Sequence, residues 1–397
     1  MTPVLPSKLT PKLDQLIVNV IKASAELGKG IHPLILEEIA RLLVLVNSYF
    51  TNAMEGNRSK LIDIEAALNH KFAKDNVARN DQLEHVAHIK VQEAMMKRLR
   101  EEPSLKICSE DFLCWLHEQF FLGLPKEMWF AKTVSGDRVP VEPGQLRDRE
   151  MTVGRHVGPE TKDGIKRYLA MFEELLSPEK LSGHQQLLGM ASSHHWFLWI
   201  HPFAEGNGRV ARLSTTTYGF RIGVGDHLLW TVTRAFARNR SEYDGHLVLA
   251  DQPRRNDLDG RGPLSEENLV EWCRFFLECC EDQIGYMHRL LNLSQLQSRY
   301  RLYLDSRMKE KRLSKAGAKV MERLLLQGEI PRSEVLDICR VKQRRASQII
   351  KELLDTKMVR SETSYGPLKL SISAEMSAVL FPTLAQAPNA PTGLVVR

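Results

Sequence analysis

Residues 201–212 read His-Pro-Phe-Ala-Glu-Gly-Asn-Gly-Arg-Val-Ala-Arg, the most informative stretch of the chain. Gly206 and Gly208 flank Asn207 and allow positive φ angles and close approach, so consecutive backbone N–H groups can turn toward an anion. The residues from Arg209 onward are good helix formers, so the loop should open a helix whose N-terminus adds a positive dipole. The stretch therefore predicts an anion-binding loop at the start of a helix.

The charged side chains of this stretch suit a bound nucleotide. Arg209 and Arg212 lie three residues apart and share one helix face, where two guanidinium groups match a polyphosphate. Glu205 can hold a Mg²⁺ ion that bridges phosphates, and His201 can accept a proton near neutral pH. The pattern indicates transfer from a nucleotide to a hydroxyl, although a Gly-Asn-Gly turn or a histidine beside proline, taken singly, is more often structural.

The whole run resembles the signature of the Fic family, His-Pro-Phe-x-Asp/Glu-Gly-Asn-Gly-Arg-x-x-Arg. Residues 201–212 match it at every position, with Glu205 as an allowed variant of the aspartate. The resemblance implies a mainly α-helical Fic core with a small β-hairpin called the flap. It also implies transfer of AMP from ATP to a Ser, Thr or Tyr hydroxyl of a target protein, with release of pyrophosphate.

By matching position, the resemblance assigns a role to each motif residue. His201 would be the general base for the incoming hydroxyl. Family members that act as kinases carry Lys where this chain has Gly208, so nucleotidyl transfer is favoured. The other implied roles are a core anchor (Phe203), a Mg²⁺ ligand (Glu205), an α-phosphate contact (Asn207), backbone N–H donors (Gly206, Gly208) and contacts to the β- and γ-phosphates (Arg209, Arg212).

A second motif lies far upstream. Residues 51–57, Thr-Asn-Ala-Met-Glu-Gly-Asn, resemble the family's inhibitory motif Ser/Thr-x-x-x-Glu-Gly/Asn. Apolar residues recur at helical spacing before it, so Glu55 should end an amphipathic helix, with Gly56 as a left-handed cap. The resemblance implies that Glu55 pairs with Arg212 and withholds it from the γ-phosphate. The same glutamate could instead position a water that removes AMP from a modified target.

Two further stretches resemble family features less closely. The run 139–156 is the candidate flap, because it has Pro and Gly punctuation and the β-formers Thr152 and Val153. An ordinary surface hairpin is the alternative. Asn239 and Tyr243 resemble the family's nucleoside-side wall, and the alternative there is a polar helix end or loop. His194 and His195 precede the motif, but their spacing does not fit a zinc helix, so we predict structural roles.

Helical periodicity and composition divide the chain into five parts. Three helices are predicted in the catalytic core, at 110–121, 161–176 and 183–200, the last leading into His201. The predicted parts are an N-terminal helical region with the inhibitory helix (1–104), the Fic core (105–290), a connector helix (291–315), a winged helix-turn-helix (316–375) and a tail (376–397). Within the tail, the Pro/Ala-rich stretch from Leu384 onward is expected to be disordered.

The winged helix is predicted from three helical segments followed by a strand pair. Its third helix, 342–354, carries Lys342, Arg344 and Arg345, which suit phosphates and base edges of DNA. Winged helices also serve as protein-interaction modules, and a basic helix face can be merely solvated. DNA is therefore a possible partner.

Composition bounds the remaining properties. The 397 residues are 43% hydrophobic and carry a net charge of +6, which suits two or three domains with at most a local basic patch. No apolar run approaches a membrane span, no signal-peptide pattern is present, and the six cysteines have no metal-ligand spacing. We predict a cytoplasmic protein with reduced thiols and no membrane association, which could form homodimers because family members often pair through the core.

Three hypotheses follow. The first is an autoinhibited protein adenylyltransferase that uses ATP and Mg²⁺. The second is a DNA-binding transcriptional regulator whose core senses ATP and has no need of His201. The third is another transfer on the same scaffold, of UMP or phosphocholine. The intact motif, with its base, favours the first.

Overall fold

A computed structural model describes residues 5–132, 138–149, 152–153, 156–225, 228–260 and 262–386. The described part of the chain is mainly α-helical, with short 3₁₀ turns at Lys126–Met128 and Pro178–Lys180. Its α-helices are α1 (Pro11–Glu26), α2 (Pro33–Met54), α3 (Leu61–Leu68), α4 (Asn76–Glu101), α5 (Glu110–Leu122), α6 (Lys162–Leu176), α7 (His184–Ile200), α8 (Asn207–Arg221), α9 (Val232–Arg238), α10 (Arg240–Ala250), α11 (Glu266–Leu290), α12 (Leu293–Lys309), α13 (Lys315–Gln327), α14 (Glu334–Cys339), α15 (Gln343–Asp355) and α16 (Ala374–Leu380).

The strands are short and antiparallel. β1 pairs with β2, β3 pairs with β4, and the third sheet has the order β5-β7-β6. The strands are β1 (Phe130–Lys132), β2 (Arg138–Pro140), β3 (Thr152–Val153), β4 (His156–Val157), β5 (Glu329–Ile330), β6 (Val359–Arg360) and β7 (Leu368–Leu370). The predicted fold, a helical core with a small hairpin, is confirmed.

The core is built around α7, which is buried on nearly all sides because its residues from Leu187 to Ile200 are apolar or small, apart from His194 and His195. It packs against α6, α8 and α11. Trp272 of α11 is fully buried, and its indole N–H donates to the carbonyl of Ala191, 2.8 Å away. Residues 201–206 join α7 to α8, so two tightly packed helices fix both ends of the predicted loop.

The predicted helix boundaries agree with the structure. The core helices α5, α6 and α7 match the predictions to within one residue at each end. α2 begins at Pro33 and ends with Glu55 as its C-cap, and Gly56 follows with a φ of +92°. A left-handed glycine at this point allows the chain to leave the helix without strain.

The predicted three helices and strand pair of the C-terminal region are also present. α13, α14 and α15 are followed by β6 and β7, and the additional strand β5 lies on the other side of β7. Glu38 of α2 fixes this region, here called the C-terminal module (residues 315–372), against the rest. Its carboxylate lies 3.3 Å from Arg360 Nε and accepts the backbone N–H of Ile372 at 3.2 Å.

The predicted disorder from Leu384 onward is wrong at its first residue, because Leu384 is buried. At the start of the predicted tail, residues 374–380 form α16, and Phe381 is buried. Arg234 of α9 donates to the carbonyls of Leu384, at 3.2 Å, and Thr383, at 3.1 Å. Pro/Ala-rich composition suggested disorder, but these apolar residues pack onto the core and their carbonyls find a donor.

The described helices and the six cysteines bear on the predictions about membranes and thiols. Among the described residues, none of the helices combines the length and apolarity needed to cross a bilayer. All six cysteines lie in the described part of the chain, and none forms a disulfide. Burial raises the pKa of the Cys273 thiol to about 12, so this thiol is protonated at neutral pH.

Candidate active site

The backbone of the loop turns sharply at His201. This residue caps α7 in the left-handed region, with a φ of +50°, which is uncommon for a residue other than glycine. Its N–H donates to the Phe197 carbonyl at 2.9 Å, and its carbonyl accepts from Arg147 Nε at 2.7 Å. These bonds hold a strained conformation of the kind that clusters at functional sites.

The imidazole of His201 has a hydrogen-bond acceptor beside one of its nitrogens. Its Nδ1 lies 3.3 Å from the carbonyl oxygen of Leu198, which can only accept a hydrogen bond. A neutral ring that donates to this carbonyl has its proton on Nδ1 and its lone pair on Nε2. The side chain is partly exposed, so a substrate hydroxyl can approach it.

Asn207 holds the loop together from inside. Its side-chain oxygen accepts the N–H of Phe203 at 3.0 Å, and its amide donates to the Phe203 carbonyl at 2.7 Å. Asn207 is buried, and Phe203 anchors the loop in the core as the resemblance implied. The structure thus places the Asn207 amide against the backbone, where it is engaged with the protein.

Below the loop lies His117 of α5, which sequence reasoning missed. Its ring stacks on Phe203 with centroids 4.0 Å apart, and its Nε2 lies 3.2 Å from the Glu205 carbonyl. The N–H of Gly144 donates to its Nδ1 at 2.9 Å. Burial lowers the pKa of His117 to about 4, so it is a neutral strut between α5 and the loop.

Gly206 and Gly208 are needed for different reasons, the first for its backbone conformation and the second for the space beside it. Gly206 has a φ of +82° and caps α8, as predicted for a loop that opens a helix. Gly208 lies inside the first turn, where a Cβ would fall 2.7 Å from Glu55 Oε1 and 3.0 Å from Arg212 Nη1. A side chain there would clash, so the Glu55 carboxylate lies directly against the backbone of the predicted anion cradle.

Arg212 is buried and bound by α2. Its Nη2 donates to Glu55 Oε1 at 2.5 Å, and its Nε donates to Thr51 Oγ1 at 2.5 Å. Burial alone would raise the pKa of Glu55, but the guanidinium groups of Arg212 and Arg209 outweigh it and lower the pKa to about 2. The ion pair implied by the two motifs is therefore present and charged at neutral pH.

Arg209 is engaged in the same way by α4. Its Nη2 lies 3.1 Å from Glu84 Oε2, and its Nε donates to Asn52 Oδ1 at 3.1 Å. Burial works against its charge, but Glu84, Glu55 and Glu205 raise the pKa of the guanidinium. Both motif arginines thus have a carboxylate from the N-terminal helices as partner.

A polar layer aligns α2 with α4 behind these ion pairs. Asn47 donates to Gln92 Oε1 at 2.7 Å, and Ser48 lies 3.1 Å from His85 Nδ1. Burial and the charge of Arg209 lower the pKa of His85 to about 3, so it stays neutral. Buried polar networks of this kind fix one register between helices.

Arg240 adds a third positive charge near Glu55. Its Nη1 donates to the Met54 carbonyl at 2.6 Å, and its Nε lies 2.7 Å from Asp244 Oδ2. It therefore holds the end of α2 beside the loop. Its position in the sequence, within a polar run, gave no signal of this contact.

The predicted nucleoside-side residues lie one helical turn apart, where the N–H of Tyr243 donates to the Asn239 carbonyl at 2.9 Å, but their side chains differ in exposure. Asn239 is exposed between α9 and α10. Tyr243 is buried, and its hydroxyl lies 2.9 Å from His194 Nε2. His194 also contacts Thr215 at 2.7 Å, and burial lowers its pKa to about 3, so it acts as a structural group, as predicted.

Glu205, the candidate Mg²⁺ ligand, is the acidic residue of the loop, and its side chain is partly exposed. Its side chain is 40% exposed, 3.8 Å from Arg209 Nη1, and its Oε1 accepts the N–H of Gly206 at 3.0 Å. Burial raises its pKa, and the charges of Glu55 and Glu84 act in the same direction while Arg209 opposes them. Added positive charge here would stabilise the ionised carboxylate, which fits a cation ligand.

The candidate flap reaches the loop through its first half. The N–H of Arg147 donates to the Pro202 carbonyl at 2.9 Å, next to its side-chain bond to His201. Thr152 and Val153 form β3, which pairs with β4. Residues 150–151 and 154–155 of the predicted flap lie outside the described residues.

The loop lies in a segment of the chain that is similar to a known protein family. Residues 107–218 match the profile described as the Fic/DOC family. The match includes the whole loop with its histidine, glycines and arginines. α1 to α4 lie before it, and α9 to α16 follow it.

Curated relatives carry one shared name, "Protein adenylyltransferase Fic". The relative from Nematostella vectensis is 30% identical over 179 residues, 44% of this chain and 37% of that protein. The relative from Culex quinquefasciatus is 27% identical over 233 residues, 59% of this chain and 39% of that protein. The chain thus aligns with about two fifths of the length of these relatives.

Solved structures resemble the fold over longer stretches. A Fic family protein from Desulfovibrio desulfuricans G20 has a TM-score of 0.53 and 16% identity, over 92% of this chain and 98% of that chain. Fic-1 from C. elegans has a TM-score of 0.52 and 17% identity, over 71% and 73%. At these identities the likeness concerns the fold.

Proposed function

We propose that this protein is a protein adenylyltransferase that transfers AMP from ATP to a Ser, Thr or Tyr hydroxyl of a target protein. The observation that supports the proposal is the loop between α7 and α8, which has His201 at the end of one helix and Arg209 and Arg212 in the first turns of the next. The name shared by the curated relatives supports the same reaction.

In the proposed reaction, the target hydroxyl oxygen attacks the α-phosphorus and the bond from that phosphorus to the bridging oxygen of pyrophosphate breaks. The hydroxyl proton passes to Nε2 of His201, which the Leu198 carbonyl leaves as the basic nitrogen. Arg209 and Arg212 neutralise the charge that develops on pyrophosphate. The backbone N–H of Gly208 binds phosphate at the start of α8, and that of Gly206 does so once the Glu205 carboxylate releases it.

Glu205 fits the role of metal ligand in this reaction. Its carboxylate is accessible at the mouth of the loop and is crowded by other acids. A bound Mg²⁺ would supply positive charge to the triphosphate. Asn207 serves the reaction by holding the loop closed through Phe203.

We further propose that the resting protein is inhibited by Glu55. Its carboxylate occupies the space against Gly208 and pairs with Arg212, so that it competes with phosphate for the same guanidinium. Because its pKa is about 2, the pair stays charged across the physiological range and pH does not release it. Removal of AMP from a modified target by a Glu55-positioned water is the alternative use of this carboxylate.

The experiment that tests both proposals uses ATP labelled at the α- or the γ-phosphate, with Mg²⁺, and follows self-modification. The proteins are wild type, Glu55→Gly, and Glu55→Gly with His201→Ala. We expect α-label to attach only when Glu55 is absent and His201 present. Attachment of γ-label would identify a kinase. If Glu55→Gly takes up no α-label from ATP but is modified by a donor of UMP or phosphocholine, transfer of that group replaces AMP transfer as the proposed reaction.

A DNA-binding regulator is the second candidate function, and the exposed face of α15 favours it. Lys342, Arg344, Arg345 and Lys351 are all exposed, whereas Ile349 and its apolar neighbours face the module. Exposed cations on the third helix of such a module suit DNA phosphates. A regulator that only senses ATP would not need His201, so its DNA binding would survive His201→Ala.

The proposed reaction also suggests a partner, a location and an oligomeric state. A target protein with an acceptor hydroxyl follows from the reaction. A cytoplasmic location follows from the need for ATP, and a homodimer through the Fic core is testable by sedimentation.

A further inference from the structure

We infer that Glu84 is a second inhibitory carboxylate, which withholds Arg209 from ATP as Glu55 withholds Arg212. This inference deepens the proposed function and rests on it. Neither motif of the sequence contains Glu84, which lies on α4, outside both. Its partner Arg209 is the first of the two arginines in the loop motif.

The contact is direct and specific. Glu84 Oε2 lies 3.1 Å from Arg209 Nη2, and the Arg209 side chain is only 7% exposed. The Asn57 amide donates to the same carboxylate oxygen at 3.3 Å, and Asn52 accepts from Arg209 Nε. Two of the three guanidinium nitrogens are thus engaged by α2 and α4, and the third faces Glu205 at 3.8 Å.

Charge decides what this contact does to a nucleotide. A guanidinium binds phosphate through the same paired N–H donors that bind a carboxylate, so Glu84 and a phosphate compete for Arg209. The carboxylate also repels a triphosphate that reaches the cradle. For both arginines to bind the phosphates of ATP, the Glu55–Arg212 and Glu84–Arg209 ion pairs must therefore both break.

The two inhibitory carboxylates, Glu55 and Glu84, lie on helices that are bonded to each other. Glu55 ends α2, Glu84 lies on α4, and these helices are tied by the Asn47–Gln92 and Ser48–His85 contacts. Asn57, just after Glu55, also donates to the Asp81 carbonyl of α4 at 2.9 Å. A displacement of this pair of helices from the loop would free both arginines together.

A positioning role for Glu84 makes the opposite prediction. If the carboxylate oriented Arg209 productively, its loss would weaken nucleotide binding and slow transfer. If it inhibits, its loss strengthens nucleotide binding at unchanged maximal rate. The sign of the change in KM for ATP therefore separates the two roles.

The test compares Glu55→Gly with Glu55→Gly/Glu84→Gln, and uses Glu55→Gly/Glu93→Gln as the matched control. Glu93 is exposed on the same helix. We expect Glu84→Gln to lower the KM for ATP about tenfold with kcat within about twofold, and the control to change neither. An unchanged or raised KM would overturn the inference.

Nucleotide binding is measured separately, so that the outcome does not depend on transfer. The probe is the α,β-methylene analogue of ATP with Mg²⁺, which cannot release AMP, and the readout is its effect on thermal unfolding. We expect a larger stabilisation of the Glu84→Gln protein than of its parent, and an equal or smaller one contradicts the inference. Glu84→Ala repeats the test if Glu84→Gln fails to fold, and loss of α-label from every protein would instead count against the proposed function.

Discussion

Arginines occur in two contrasting states in this protein. In the helical core, Arg209 and Arg212 are buried, and each is paired with a carboxylate from the N-terminal helices. In the C-terminal module, Arg344 and Arg345 are exposed, and within the described part of the chain no acidic side chain forms an ion pair with either. The first pair is closed to anions and the second is open.

The difference shows that the state of an anion site depends on burial as well as on charge. A guanidinium removed from water needs a counter-charge, and in the core Glu55 and Glu84 supply it. A phosphate can take their place only by displacing them. On α15 water solvates the cations, so a polyanion can bind without displacing a protein group.

The largest effect is expected when Arg212 is replaced in a protein that already lacks the inhibitory Glu55. In the Glu55→Gly protein, Arg212→Ala should lower α-label transfer about 100-fold or more, because one donor to the developing pyrophosphate charge is lost. Initial rates at saturating ATP measure it. Arg221→Ala is the control, since this arginine ends α8 and donates to the Leu105 carbonyl at 3.0 Å. Unchanged transfer by Arg212→Ala would break the contrast between the two regions.

The open arginines predict a smaller effect on DNA binding. Arg344→Glu with Arg345→Glu should weaken binding to duplex DNA about 30-fold and reduce the salt dependence by about two phosphate contacts. Fluorescence anisotropy with a duplex of random sequence measures both. Equivalent reversals at Arg301 and Arg323, exposed on α12 and α13, provide the control. Equal losses in both variants would assign the effect to net charge.

The smallest effect, taken for one histidine over one pH unit, concerns acid stability and separates the two regions. Burial lowers the pKa of His85 and of His194 to about 3 and that of His117 to about 4. The unfolded chain therefore binds protons first, so stability is complete above about pH 6.5 and falls by about 1.4 kcal/mol per pH unit for each histidine below it. The sequence has no histidine after His288, so hydrogen exchange at falling pH should open α4, α5 and α7 before α13 to α15.

One variant isolates this effect. His194→Gln should flatten the dependence of the unfolding free energy on pH below about 6.5, relative to wild type. Identical slopes for the variant and wild type would show that this buried histidine does not drive the acid transition.

The sequence predicted the features that are encoded locally. The loop, the left-handed glycines, the end of α2 at Glu55 and the helices of the C-terminal module follow from periodicity and caps within a few residues. The partner Arg212 of Glu55 followed from the family resemblance and is observed.

The missed features depend on contacts between distant parts of the chain. Glu84 lies 125 residues before Arg209, and His117 lies 88 residues before Glu205, so neither has a local signal. A helix with scattered acids looks like a solvated face until the packing of α4 against α8 is known. The ordered start of the tail is similar, because Leu384 packs into the core and its carbonyl accepts a hydrogen bond from Arg234, 150 residues earlier in the chain.

The most direct test of the central claim is the affinity for nucleotide with and without the lock. Calorimetric titration with Mg²⁺ and the α,β-methylene analogue of ATP compares wild type with Glu55→Gly. We predict that Glu55→Gly binds at least about tenfold more tightly, because Arg212 is released to the γ-phosphate. Equal affinities would show that the Glu55–Arg212 pair does not oppose nucleotide binding and would contradict inhibition by this contact.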